Sequence, residues 1–158
     1  MTDFDDDYWL VADRDGRFPE EFYTAIAAGG WLGIAMPEAY GGSALGIAEA
    51  ALMMQKIAET GGGMAAASAV HINIFGPHPI VGYGTEEQRL AWLPPLIKGE
   101  VKCCVGVTEP DAGLDTGNIL TRADKIDGGY LVSGQKIWTS TAQVASKILL
   151  LARTNHPS

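Results

Sequence analysis

The sequence predicts an α+β fold in which an all-helical N-terminal domain is followed by a partial, antiparallel, β-barrel-like domain. Between Phe18 and Glu100, apolar residues recur at helical spacing, and glycines interrupt the pattern. From Val101 onward, β-branched residues and turn signals predominate. We therefore predict a helical domain over residues 1–100 and the first, truncated part of a β domain over residues 101–158.

Four helices are predicted in the first half of the chain. Three segments show helical spacing of apolar residues between glycine breaks: 19–28, 46–60 and 64–75. A fourth helix begins at Thr85, because Gln88 stands three residues later and completes a capping box. We expect Pro94 and Pro95 to break this helix, because proline lacks the N–H that the helix interior needs. The acidic run 5–7 is predicted to be a solvated terminus.

The second half is predicted to contain strands and one hairpin. Residues 101–108 and 119–126 form two strands, and the turn 127–129 leads into a third. The near-continuous apolar run 147–154 is typical of a strand covered on both faces. Few residues follow it, so nothing in the sequence can cover this strand or pair with its edge. We therefore expect a fragment, or a strand that another chain completes.

Composition excludes several classes of protein. The formal net charge is −8, and the eleven basic residues are scattered, so no nucleic-acid partner is predicted. No apolar stretch approaches the ~20 residues that a membrane-spanning helix needs. The adjacent Cys103 and Cys104 suit neither a disulfide nor a zinc site, and we predict two buried free thiols in a reducing compartment. With its acidic N-terminal sequence, the protein is predicted to be cytoplasmic.

Metal and nucleotide motifs do not account for the remaining polar residues. His71 and His78 are separated by a glycine and a proline and have no partner at ligand spacing, so no metal site is predicted. The glycine-rich stretches complete neither a dinucleotide-binding fingerprint nor a phosphate-binding loop. We interpret these glycines as turns and helix stops.

Two polar segments interrupt the predicted β domain: "VTEPDAGLD" (107–115) and "KIWTSTAQ" (136–143). A flavin ring has an apolar body and a polar edge, and hydrogen-bond donors at that edge stabilise the charge of its reduced form. The Thr108 hydroxyl and nearby backbone N–H groups could supply such donors, while Trp138 covers the ring and Ser140 approaches its reactive side. Residue chemistry alone leaves ordinary loop chemistry open as the alternative.

Four segments, in this order and spacing, resemble the acyl-CoA dehydrogenase family. They are "GWLGIAMPEAYGGSALG" (30–46), "GTEEQRLAWLPPLIKGE" (84–100), "VTEPDAGLD" (107–115) and "YLVSGQKIWTSTAQVASKILLLART" (130–154). The resemblance covers nearly the whole chain from Phe18. It implies a helical domain followed by a β domain, and a C-terminal four-helix domain that this sequence does not contain.

The resemblance implies FAD as the cofactor and assigns residues to it. The predicted flavin-binding residues are Val105, Gly106, Val107, Thr108, Gly113, Leu114, Trp138, Thr139 and Ser140. Leu114 also falls on a substrate-binding position where the family often has a serine that helps to hold CoA, and the loss of that hydroxyl puts the usual CoA contact in doubt. Glu109 matches the motif's glutamate, which we interpret as structural.

The implied reaction is α,β-dehydrogenation of an acyl-CoA thioester, with removal of the α proton and transfer of a hydride to flavin N5. No catalytic residue is predicted in this chain, because the family's glutamate base lies outside the matched segments, and we expect the isolated chain to be inactive. The implied partners are an acyl-CoA, an electron-transfer protein and further copies of the complete chain. The alternatives are an acyl-CoA oxidase-like or nitroalkane oxidase-like flavoenzyme, or a non-catalytic remnant or split-subunit module.

Overall fold

The computed structural model describes residues 4–155. Within them lie six α-helices: α1 Asp6–Arg14, α2 Glu20–Ala28, α3 Ile47–Ala58, α4 Gly63–Phe75, α5 His78–Tyr83 and α6 Glu86–Ile97. The four strands are β1 Cys103–Gly106, β2 Arg122–Ile126, β3 Gly129–Ser133 and β4 Lys147–Leu150. The predicted α+β fold, with helices first and strands second, is confirmed. Among the described residues, no helix is both long and apolar enough to cross a bilayer.

The main core lies between the first four helices. Its buried residues are Trp9, Phe22, Tyr23, Ile26, Leu32, Ile34, Ala50, Ile57, Ala66, Ala67, Ala69, Val70 and Ile74. The small side chains of α4, Ala66, Ala67 and Ala69, are buried in this core and let neighbouring helices approach closely. Trp9 of α1 packs edge-on against Phe22 of α2, with ring centroids 5.1 Å apart. Helix α1 therefore belongs to the core, although the sequence analysis did not predict it.

The acidic run 5–7 has a structural role besides its exposure to solvent. The Asp5 carboxylate accepts a hydrogen bond from the Tyr8 backbone N–H at 3.0 Å and so caps α1, while Asp6 and Asp7 occupy the first turn. Negative charge at this end favours the helix, because the first N–H groups of a helix point outward and carry partial positive charge. The segment is solvated, as predicted, but it begins a helix.

The capping box of α6 is present as predicted. The Gln88 backbone N–H donates to the Thr85 hydroxyl at 3.2 Å, and the Gln88 side chain accepts from the Thr85 backbone N–H at 2.8 Å. The predicted break at Pro94 and Pro95 is wrong, because α6 continues to Ile97 with both prolines inside it. A proline in a helix interior costs about 3 kcal/mol.

Burial of the last turn of α6 offsets that cost. Leu93, Leu96 and Ile97 are all buried, and Leu93 and Ile97 pack with Met36 in a second core cluster. Full burial of a leucine or isoleucine side chain contributes about 1.5–3 kcal/mol. Burial of three such residues is therefore comparable in size to the cost of the two prolines.

The strands form two separate pairs. β2 and β3 are antiparallel and form the predicted hairpin, with Gly128 at φ +76° in its turn. β1 and β4 are parallel, with Cys103 opposite Lys147 and Gly106 opposite Leu150. Among the described residues the sheets do not close into a barrel, and the antiparallel prediction holds for the hairpin alone.

Strand β4 is not covered on both faces, contrary to the prediction. Lys147 and Ile148 are exposed, and Leu149 and Leu150 are only half-buried. One face of β4 contacts the helical half, as the cation–π contact of 5.3 Å between Lys147 Nζ and the Trp92 ring shows. Continuous apolar character therefore predicted the strand, but not what packs against it.

Replacement of Thr85 by alanine tests the capping box. Thr85→Ala leaves the Gln88 N–H without its acceptor, and we expect a loss of about 1 kcal/mol in the free energy of unfolding. The matched control is Thr24→Ala, which removes an exposed hydroxyl from the middle of α2 and should leave stability unchanged or slightly higher. Urea unfolding measures both variants, and equal midpoints for Thr85→Ala and the wild type would contradict the capping role.

Candidate flavin site

A tight turn follows β1 and explains the interruption of the strand. The Glu109 backbone N–H donates to the Ala112 carbonyl at 3.0 Å, and the Ala112 N–H donates back to the Glu109 carbonyl at 3.2 Å. Pro110 and Asp111 occupy the two positions between them, and the fixed φ of proline suits the first of these. The chain therefore reverses direction immediately after the strand.

The Glu109 carboxylate is buried and fully engaged. Its side chain is 6% exposed, and it accepts hydrogen bonds from the backbone N–H groups of Leu120 (2.5 Å) and Thr121 (2.8 Å). The Lys136 ammonium, 8% exposed, lies 2.8 Å from Glu109 Oε1 and also donates to the Val107 carbonyl at 2.9 Å. A buried ion pair of this kind is stable only when further hydrogen bonds satisfy both charges, and here they do.

The environment of Glu109 keeps its carboxyl ionised. Burial acts to raise the pKa of Glu109, but hydrogen bonds from Leu120, Lys136 and Thr121 outweigh it and lower the pKa to about 2. The group therefore acts as an acceptor for its neighbours at neutral pH and does not titrate there. These contacts support the interpretation of Glu109 as structural.

This ion pair joins the two polar segments that the sequence singled out. Lys136 belongs to the second segment, and its two partners belong to the first. One residue further along, the Ile137 backbone N–H donates to the Thr108 carbonyl at 2.9 Å. Ser140 follows Ile137 by three residues, which span at most about 11 Å of extended chain. Thr108 and Ser140 therefore lie in the same region of the molecule.

Four of the predicted flavin-binding residues lie at the end of β1. Val105 and Gly106 are strand residues, and Val107 and Thr108 follow at once and are half-buried. A Cβ atom on Gly106 would lie 2.9 Å from Cδ1 of Ile148 and 3.3 Å from Cγ of Lys136. A side chain at position 106 would therefore require the side chains of Ile148 and Lys136 to shift, and glycine lets them pack directly on the strand.

Gly113 and Leu114 follow the turn and point away from the interior. Both residues are exposed, and the Leu114 side chain is as accessible as in an extended chain. Among the described residues, these two take part only in a local hydrogen bond, from the Thr116 N–H to the Leu114 carbonyl. The structure therefore brings Thr108 towards the second segment but leaves Leu114 in solvent.

The second segment presents unused donors. Trp138 adopts a left-handed conformation, φ +57°, and its side chain is 85% exposed. Within residues 4–155, neither the Thr108 hydroxyl nor the backbone N–H groups of residues 138–140 make a hydrogen bond. Free donors beside an exposed aromatic ring fit the polar edge and apolar face of a flavin.

Two basic residues of this region were missed from the sequence. Lys136 forms the ion pair, and Arg153 donates from Nε to the Ile119 carbonyl at 2.6 Å and from its guanidinium to the Gly117 carbonyl. The ion pair and the Arg153 hydrogen bonds both join residues that are distant in sequence. A single charged residue beside an apolar run was the only available signal, and it does not identify its partner.

The pH dependence of stability tests the role of Glu109. Because its folded pKa of about 2 lies below the ordinary value of 4.5, the carboxylate stabilises the fold above about pH 4.5, and this contribution is lost as the pH falls towards 2. We expect Glu109→Gln to lower stability at neutral pH and to reduce this acid dependence, whereas the exposed control Glu38→Gln should change neither property. Urea unfolding over this pH range measures both, and identical curves for Glu109→Gln and the wild type would refute the role.

Comparisons with known proteins show which family the chain resembles over both halves. The family model described as acyl-CoA dehydrogenase, N-terminal domain, matches residues 6–100, and the middle-domain model of the same family matches residues 104–158. Isovaleryl-CoA dehydrogenase, mitochondrial, of Solanum tuberosum is 32% identical over 145 residues, which are 90% of this chain and 35% of that protein.

Solved structures show the same likeness. Glutaryl-CoA dehydrogenase from Mycobacterium smegmatis superposes with a TM-score of 0.80 at 28% identity, over 90% of this chain and 36% of the other. The FAD complex of PigA superposes with a TM-score of 0.86 at 26% identity, over 96% of this chain and 40% of the other. The chain thus spans only about a third of the length of its curated relatives. Since the two family models together match almost every residue from Asp6 onward, the chain belongs to the acyl-CoA dehydrogenase family.

Proposed function

We propose that this chain forms the helical half and the flavin edge of an FAD-dependent dehydrogenase that acts on acyl-CoA thioesters. The observation that carries the proposal is the hydrogen bond from Ile137 N–H to the Thr108 carbonyl, reinforced by the buried Glu109–Lys136 pair. Together they hold two segments with free donors side by side. The proposal keeps the division into a helical domain, 1–100, and part of a β domain, 101–158, and a cytoplasmic location.

The proposed contacts follow from exposure and donor chemistry. The Thr108 hydroxyl and backbone N–H face the polar edge of the isoalloxazine, and Val105, Gly106 and Val107 contribute apolar contacts at the end of β1. In the second segment, the residues that bind are Trp138, through its exposed indole ring, and Thr139 and Ser140, through hydroxyl and N–H donors. Donors at the polar edge stabilise negative charge on a reduced flavin.

Gly113 and Leu114 complete the proposed set on the solvent side. An exposed leucine side chain can contact the ligand only through apolar surface. We therefore propose that this chain binds the CoA moiety more weakly than it would with a serine at this position. Together with the residues above, these two assignments reproduce the full set predicted from the sequence.

In the complete protein, dehydrogenation removes a proton from Cα and a hydride from Cβ of the substrate. Bound FAD supplies the acceptor for that hydride at N5. This chain's residues position the flavin, and none of them is proposed as the base: the family's glutamate base lies outside the matched segments, and Glu109, the glutamate of the first segment, is buried and paired with Lys136. An electron-transfer protein and further copies of the complete chain are the proposed partners.

Loss of the Thr108 hydroxyl tests the flavin edge. We expect Thr108→Val to weaken FAD binding by the 158-residue chain about tenfold, because one donor to the polar edge disappears. The control Thr24→Val removes a hydroxyl from the exposed face of α2 and should leave the dissociation constant unchanged. Quenching of flavin fluorescence measures both constants. Equal affinities for Thr108→Val and the wild type would contradict the assignment.

Turnover by the isolated chain is the second test. With FAD, an acyl-CoA and an artificial electron acceptor, we expect the 158-residue chain to bind flavin without dehydrogenating the substrate, because it supplies no base. Flavin binding is measured in the same sample, so that a lack of cofactor cannot explain a lack of activity. Dehydrogenation above the rate without protein would show that the base lies within this chain.

A further inference from the structure

Asn73 is a buried polar residue that connects the helical half to the start of β1. It lies on α4, is 4% exposed, and donates from Nδ2 to the Tyr23 hydroxyl at 2.8 Å and to the Val101 carbonyl at 2.9 Å. Its Oδ1 accepts from the Cys103 backbone N–H at 3.1 Å. One amide group on α4 therefore bonds to α2 and to two backbone groups at the start of β1, the carbonyl of Val101 and the N–H of Cys103.

The amide satisfies two backbone groups at a position where the sheet does not provide partners for both. Val101 lies outside β1, and Cys103 is its first residue. An apolar side chain at position 73 would leave the half-buried Val101 carbonyl and the buried Cys103 N–H without their partner, which is unfavourable. An aspartate could accept from Cys103 but could not donate to Val101. Asparagine is therefore suited to this position through having both a donor and an acceptor.

The start of β1 determines where the flavin edge lies. Cys103 and Thr108 are five residues apart, or about 16 Å along an extended strand. A tilt of about 5° at Cys103 would therefore move Thr108 by roughly 1.4 Å, and a displacement of about 1 Å in a positioned group can cost a hundredfold in activity. Val105 also packs against the end of α4, where a Cβ on Gly76 would come within 3.1 Å of it.

We infer that Asn73 is a positioning residue for the flavin edge, acting through the direction of β1 and not through contact with the ligand. The inference rests on the proposed function, because the Asn73 contacts position a flavin only if a flavin binds at the end of β1. Without that ligand, the same contacts stabilise the fold and nothing more. The hydrogen bond from Asn73 to the Tyr23 hydroxyl provides an internal comparison. Removal of the Tyr23 hydroxyl breaks the contact to α2 but leaves both contacts to the strand.

The experiment compares Asn73→Leu with Tyr23→Phe in the 158-residue chain. Tyr23→Phe loses one buried hydrogen bond and Asn73→Leu loses all those of the amide, so both are expected to be less stable in urea than the wild type, Asn73→Leu more so. FAD affinity is then measured by fluorescence quenching, in buffer where circular dichroism shows each variant to be folded. We expect the dissociation constant of Asn73→Leu to rise at least about tenfold and that of Tyr23→Phe to stay within about twofold of the wild type. The visible absorption band of the bound flavin should also shift in Asn73→Leu alone.

The outcomes separate this inference from the proposed function. If the wild-type chain binds no FAD, the proposed function fails. If the wild type binds FAD and folded Asn73→Leu binds it equally well with the same absorption band, the positioning role is overturned and the proposed function stands. If Asn73→Leu does not fold, Asn73→Ser replaces it, because serine is polar but too short to span both Val101 and Cys103. The same comparison of affinities then decides the question.

Discussion

The buried ion pair between Glu109 and Lys136 is the interaction on which the second half of the molecule depends. Each charge would be costly to bury alone, and each is satisfied by backbone groups as well as by its partner. The donors come from two other parts of the chain, Leu120 and Thr121 in one and Lys136 in the other, and the Glu109 carboxylate in the turn after β1 accepts from all three. One carboxylate therefore fixes the relative positions of loops that have no regular hydrogen-bond ladder between them.

Asn73 and Glu109 act at opposite ends of β1. The amide holds the start of the strand to α4, and the carboxylate holds the chain just beyond its end. Between them the strand is paired on one side with β4 and packed against the helical layer through Val105. A short strand fixed at both ends behaves as a rigid element. Functional groups placed at its end inherit that rigidity, which is a requirement for precise ligand positioning.

The features that could be predicted from the sequence are those that neighbouring residues determine. The capping box at Thr85 and the hairpin turn at Gly128 depend on residues within a few positions of each other, and both are present. The failures depend on tertiary contacts. The two prolines of α6 are tolerated because Leu93 is buried against another part of the chain, and the partner of Lys136 lies 27 residues away. At the site, local chemistry identified the two segments, but only the structure shows what joins them.

Backbone strain in the second segment indicates that its shape is set before any ligand arrives. Trp138 and Thr141 both have positive φ, +57° and +69°. For a residue other than glycine, this conformation costs on the order of 1–3 kcal/mol. The strain is balanced on both sides, by the Ile137 N–H bond to Thr108 and by bonds from Val144 and Ala145 to the Thr141 carbonyl. A loop constrained at both ends loses little further conformational entropy when a ligand binds, and its free N–H groups need no rearrangement to donate. In the proposed flavin site, the buried contacts of Glu109 therefore act by holding this loop in place and not by touching the ligand.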